Sequence, residues 1–72
     1  MAITMIQVQS KNISQIGYDT AGHTLRILFS TGNIYEYDEV PEQIFRMFVD
    51  AVSKGAFFKS QIKFTYKYKK VC

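Results

Sequence analysis

In its 72 positions the chain has one cysteine, one histidine and no acidic residue after Asp50. A single thiol at the last position, Cys72, can neither close an internal disulfide nor assemble a thiolate metal site, which suits a reducing compartment. Its place at a chain end, where order is weakest, argues against a structural or catalytic role. The lone histidine, His23, opens a strand beside a turn, and no serine or aspartate can be assigned to it from spacing. There is no Gly-rich phosphate loop, since Gly32 and Gly55 each stand singly. Asp38, Glu39 and Glu42 cluster at a helix start, where acids complement the helix dipole more simply than they hold a metal. These gaps leave no catalytic constellation, and neither enzymatic activity, a metal nor a cofactor is expected. The N-terminus lacks the basic and apolar regions of a leader, and no apolar run approaches the roughly 18 residues of a membrane span. A cytoplasmic protein that does not enter a membrane is the expectation. Internal repeats and low-complexity segments are absent as well.

What is present is hydrophobic and aromatic. Hydrophobic residues make up 47% of the chain and aromatic ones 15%, which excludes a disordered segment. The length fits one domain, over residues 1–72, but a domain this small buries only about 60% of its unfolded surface. Six phenylalanines and five tyrosines compensate, because each large ring buries roughly 150–250 Å². Homo-oligomer formation is a second route to stability that composition leaves open.

The net charge of +3 hides an asymmetry. Up to Val52, three bases (Lys11, Arg26, Arg46) face six acids (Asp19, Glu36, Asp38, Glu39, Glu42, Asp50). From Ser53 onward there are six lysines (Lys54, Lys59, Lys63, Lys67, Lys69, Lys70) and no acid. Such a switch points to an anionic partner, whether nucleic acid, membrane headgroups or an acidic protein surface. A solvated strand whose lysines guard against edge-to-edge aggregation explains it equally well.

Alternating polarity from Met5 to Gln9 and from Ile13 to Tyr18 predicts two short strands, or one strand kinked near Ser10–Asn12. Asp19-Thr20-Ala21-Gly22 is a turn, with the Asp19 side chain capping it and Gly22 supplying a positive φ. His23–Ser30 is the clearest strand, with Leu25, Ile27 and Phe29 on one face and Leu28 partly covering the other. Ser30-Thr31-Gly32-Asn33 is a second tight turn, followed by a strand with Tyr35 and Tyr37 on one side. Val40-Pro41 then ends the sheet and opens a helix to about Val52, with Ile44, Phe45, Phe48, Val49, Ala51 and Val52 as its apolar stripe. Arg46 and Asp50 form an i,i+4 pair on its wet face. Gly55 is expected to stop this helix in a conformation other residues resist, with Ser53 bonded to nearby backbone and Phe57-Phe58 returning the chain to the core. From Ile62 strict alternation predicts a strand, with Ile62, Phe64, Tyr66 and Tyr68 facing one way. Lys63, Lys67 and Lys69 then form a row on the other face. The expected fold class is α+β: a small antiparallel meander of three to five strands, packed by one amphipathic helix, with a C-terminal basic strand or extended segment.

The ordered set Gly17-Tyr18-Asp19, Gly32, Tyr35-x-Tyr37, Val40-Pro41, Ser53-x-Gly55-x-Phe57-Phe58 and Ile62 resembles the KTSC domain family. No one of these elements is specific, but their order across nearly the whole chain is. The family occurs as small stand-alone bacterial and phage proteins and as an extension on some lysyl-tRNA synthetases. That attachment implies, by association, a role near RNA; the resemblance speaks to fold more than to activity, and the lysine-rich end belongs to this chain rather than to the family at large.

Three functional readings follow. In the leading one the chain is a non-catalytic module that binds RNA, or another single-stranded nucleic acid, through Lys54, Lys59, Lys63, Lys67, Lys69 and Lys70, with Tyr66 and Tyr68 stacking bases. Tyr35, Tyr37, Tyr66 and Tyr68 serve equally as half-buried sheet residues, so the tyrosines alone do not decide. A protein-interaction module, plausibly phage-encoded and docking a host protein, is the second. A small-ligand pocket between sheet and helix is the third.

Overall fold

The computed structural model of the protein describes residues 3–71. Cys72 lies outside them. Strands β1 (Met5–Gln7), β2 (Ile13–Asp19), β3 (Thr24–Phe29) and β4 (Ile34–Tyr37) run in sequence order as an antiparallel meander. Two helical segments follow, α1 (Glu42–Asp50) and α2 (Lys54–Phe57), the second continuing into a wide turn over Phe58–Ile62. A short strand β5 (Tyr68–Lys70) then returns and pairs antiparallel with β4, completing a five-stranded sheet. The N-terminal segment is thus two strands, separated at Ser10–Asn12 as the polarity break implied.

Alternation decides the layering. Ile13, Ile16, Leu25, Ile27 and Tyr37 face the helices and are buried together with Val40, Phe48, Phe58 and Ile62. On the opposite face Arg26 and Glu36 are paired in register and bonded side chain to side chain, at 2.9 Å through Nε and more closely through Nη2. Gly17 is buried where β1 crosses β2: a Cβ there would lie 2.6 Å from Met5 Sδ and 2.8 Å from the Thr4 carbonyl oxygen. A larger residue would push the first strand off the sheet.

Both turns are present, with one exchange of roles. Asp19 Oδ1 accepts from the Ala21 amide at 3.0 Å, as expected of a capping aspartate. The left-handed residue is His23 (φ 53°) rather than Gly22. A Cβ at 22 would meet Asp19 Oδ2 at 2.8 Å, so a larger residue there would displace the capping carboxylate. In the second hairpin Gly32 does take a left-handed φ of 97°, and its amide donates to the Phe29 carbonyl at 2.9 Å.

The helical region departs most from expectation. Helix α1 begins one residue after Pro41, whose carbonyl accepts from Ile44 at 3.0 Å, and it ends at Asp50. Ala51 turns to extended backbone (φ −65°, ψ 135°), so Val52 leaves the apolar stripe and is fully exposed. Arg46 pairs with Glu42 at 3.0 Å, one turn back, rather than with Asp50. The segment at Ser53 does not stop a helix; it starts one. Ser53 has extended backbone and its Oγ accepts from the Ala56 amide at 3.2 Å, an N-cap bond. Gly55 lies inside α2, its φ is not left-handed, and nothing would touch a Cβ there. The single amphipathic helix expected from the pattern is therefore two helices joined by a sharp break.

The strict alternation from Ile62 is not one strand. Ile62 is buried as the residue one helical turn beyond Phe58, and the Lys63 amide closes a wide turn onto the Phe58 carbonyl at 2.9 Å. Residues 63–65 form a turn, closed by the Thr65 amide on the Ile62 carbonyl at 3.1 Å. Only Tyr68–Lys70 pairs with the sheet. Lys63, Lys67 and Lys69 consequently do not form one row. Period two and a helical i,i+4 step both bury Ile62, and the cap at Ser53 decides in favour of the helix.

Candidate functional site

The β4–β5 edge carries an aromatic cleft. Tyr37 and Tyr68 are direct cross-strand partners, and Tyr35 lies opposite Lys70, so all four share the helix-side face of the sheet. Their rings pack closely: Tyr35–Tyr68 centroids are 5.5 Å apart and Tyr37–Tyr68 5.4 Å, both tilted. Phe58 meets Tyr37 edge-on at 5.6 Å, and Phe29 meets Tyr35 and Phe58 edge-on at 5.5 Å each. These five rings, with Lys63 and Phe64 from the turn after the helix, line a cavity of about 450 Å³. No acidic residue lines it.

The mouth is exposed and the floor is not. Phe64 is 86% exposed and Tyr68 57%, an unusual loss of apolar burial in so small a protein. Lys63 Nζ stands 5.4 Å from the Phe64 ring centre, within cation–π range. Tyr37 is buried, and burial, with the neighbouring Tyr68 and Tyr35 phenols as smaller contributors, pushes its phenol up to about 12. The arrangement suits stacking of a planar ring beside a cation.

The remaining sequence candidates are distributed elsewhere. Lys69 lies opposite Glu36, on the far face of the sheet from the cleft, and its Nζ is 3.9 Å from Glu36 Oε1. Lys67 is exposed, and its carbonyl accepts from the Asp38 amide at 2.8 Å. Tyr66 is half-buried against the core and is not part of the cleft lining. Lys54 and Lys59 line a second, polar cleft of about 490 Å³ together with Lys11, Ser10, Asn12 and Ser53. Lys54 Nζ there donates to the Ala51 carbonyl at 2.6 Å, closing the end of α1. Sequence reasoning missed Lys11, because only the fold brings the β1–β2 loop beside α2. It also gave no binding role to Phe64, whose alternation pointed to a strand's buried face. A phenylalanine set between the polar residues Lys63 and Thr65 was the available signal.

Among the described residues no group of three or more His, Cys, Asp or Glu is placed to hold a metal ion. No helix among them is long and apolar enough to cross a membrane.

Tyr18 and Val40 lie away from the cleft and are tied to each other. The Tyr18 hydroxyl donates to the Val40 carbonyl, lies 3.2 Å from His23 Nδ1, and its ring stacks on Phe45 at 5.2 Å. Burial raises the Tyr18 pKa, with the Glu42 and Asp19 carboxylates adding to the shift. Residues 9–68 match the family described as the KTSC domain. This chain belongs to the KTSC domain family. A crystal structure of a KTSC domain protein from Yersinia pestis is 38% identical and superposes with a TM-score of 0.95, covering 99% of this chain and 100% of the other. A lysine–tRNA ligase of Nostoc punctiforme is 31% identical over 71 residues, 99% of this chain but 13% of that enzyme. A protein of Stutzerimonas stutzeri is 31% identical over 58 residues, 81% of this KTSC domain chain and 82% of its own length. The chain thus spans only a small part of the ligase it matches.

Proposed function

We propose that this KTSC domain is a non-catalytic module that binds single-stranded nucleic acid, RNA in preference to DNA, at the aromatic cleft. The observation that carries the reading is the exposed Phe64 ring at the mouth of an acid-free aromatic cavity, with the Lys63 ammonium beside it. Unpaired bases stack on such rings for roughly 1–3 kcal/mol each, and lysine neutralises the phosphates between them. Tyr68 and Phe64 supply the stacking faces; Lys63 and Lys70 supply charge on the same side of the sheet. Lys67, Lys54 and Lys59 extend the positive field without touching the cleft. Tyr66 packs and Lys69 serves the opposite face. The likeness to part of a lysine–tRNA ligase, an enzyme whose name gives tRNA as a substrate, supports RNA as the partner.

Fluorescence anisotropy with short single-stranded RNA and DNA, read across a salt series, tests this. Affinity should fall by about 0.7 log units per log salt for each phosphate neutralised. Substituting Lys63→Glu with Lys70→Glu should abolish binding while the circular-dichroism spectrum is kept. Salt-independent affinity, or none at low salt, rejects the reading.

A further inference from the structure

Of the tyrosines that line the aromatic cleft, Tyr37 is the buried one, and the packing leaves its hydroxyl uncommitted. Tyr37 is only 3% exposed, wedged between Phe58 at 5.6 Å and Tyr68 at 5.4 Å. Its hydroxyl has no hydrogen-bond partner among the described residues, yet among them no fully buried side-chain oxygen or nitrogen is left unpartnered. An oxygen without a partner that is not sealed off keeps some contact with solvent, and Tyr37 is one of the residues that line the cavity. The contrast with Tyr18 is direct, since that hydroxyl is spent on the Val40 carbonyl. A phenol pushed up to about 12 by burial remains a neutral group at physiological pH, able to donate one hydrogen bond and accept others.

A hydroxyl at the bottom of an aromatic slot reads the edge of whatever ring enters it. A purely hydrocarbon ligand would leave this group unpaired at a cost, whereas a nitrogen heterocycle offers it a partner. The volume of about 450 Å³ lies within the range of small-ligand sites and above what a single base needs. We propose that the cleft takes one nucleobase at a time, inserted edge-first between Phe64 and Tyr68, with the Tyr37 hydroxyl hydrogen-bonding its edge and setting base preference. This deepens the single-strand reading and rests on it for the identity of the ring. It adds a specificity-determining residue and a one-base stoichiometry that stacking alone does not require.

The test is an NMR titration of the full chain with AMP, CMP, GMP and UMP at millimolar concentration, with ribose 5-phosphate as the base-free control. Wild type and Tyr37→Phe are compared, and a thermal melt of the variant verifies that its fold is kept. The nucleotides should shift the Tyr37, Phe64 and Tyr68 ring signals, and ribose 5-phosphate should not. Tyr37→Phe should weaken the preferred nucleotide by about three- to tenfold and narrow the spread among the four bases. Equal affinities of variant and wild type overturn the proposal even if oligonucleotides bind, and the broader reading then survives alone. Equal shifts from ribose 5-phosphate, or no response to any nucleotide, overturn it as well. Tyr37-dependent nucleotide binding without oligonucleotide binding upholds the slot and rejects the single-strand reading.

Discussion

The Tyr18 hydroxyl donates a hydrogen bond to the carbonyl of Val40, joining the second strand to the start of the first helix. That bond ties two segments, Gly17-Tyr18-Asp19 and Val40-Pro41, that lie far apart in the chain. Nearby, the Val40 amide donates to the His23 carbonyl at 2.9 Å, and both His23 and Glu39 hold left-handed backbone (φ 53° and 55°). Two non-glycine residues in that region carry a conformational cost that the surrounding contacts must offset. Tyr18→Phe should therefore lower stability by about 1–2 kcal/mol in urea unfolding, with nucleic-acid affinity unchanged. A variant as stable as wild type would reduce the bond to a coincidence of packing.

Ser53 and Gly55 distinguish a helix start from a helix stop. Ser53→Ala removes the cap bond to Ala56 and should cost about 1 kcal/mol. Gly55→Ala should do the reverse and stabilise by about 0.4–1 kcal/mol, because the position is helical and open. Had Gly55 ended the first helix in a left-handed conformation, the same change would destabilise. The sign of the Gly55→Ala shift in melting temperature thus decides between the two.

Phe64→Ala separates binding from folding. The ring is so exposed that its loss should change stability by no more than about 0.5 kcal/mol. Binding of short RNA should weaken by about 1–3 kcal/mol, the worth of one stacked base. A large fall in stability would show that Phe64 packs in solution and is no platform.

Lys69 provides the internal control for charge. It lies near Glu36, across the sheet from the cleft, so Lys69→Gln should leave the salt dependence of binding nearly unchanged. Lys63→Gln should lower the slope by about 0.7, one phosphate contact. Equal effects from both would mean that the field acts diffusely and the cleft has no privileged lysine.

Alkaline titration reports on Tyr37. Its pKa stands near 12 in the folded protein against 10.0 for an unperturbed phenol, so the folded state favours the neutral form. The corresponding stability is complete below pH 10 and is lost as pH rises through about 12. Tyrosinate absorbance should show late ionisation from Tyr37 and Tyr18, and Tyr37→Phe should remove the step near pH 12 and flatten the fall in stability.

Local chemistry alone carried much of the fold. The Leu25, Ile27 and Phe29 face, the paired Tyr35 and Tyr37, the Asp19 and Gly32 turns and the proline-led helix follow from period, turn residues and caps that act within a few positions. The family pattern was legible for the same reason, being a series of such local requirements in fixed order. The second helix was not, because Ser53 and Gly55 serve a cap or a stop equally well until the extended turn at Ala51 ends the first helix and the Ser53 hydroxyl caps the Ala56 amide. The lysines were counted correctly from the sequence but not arranged. Their placement depends on where the chain leaves the helix, and that is fixed by the wide turn closing on the Phe58 carbonyl. Residue order determined a basic, aromatic end on a KTSC scaffold. Only tertiary packing decided that Lys63 and Phe64 stand at a cleft, Lys69 on the opposite face and Lys11 beside Lys59, because strand pairing and helix exit set which side of the sheet each residue occupies.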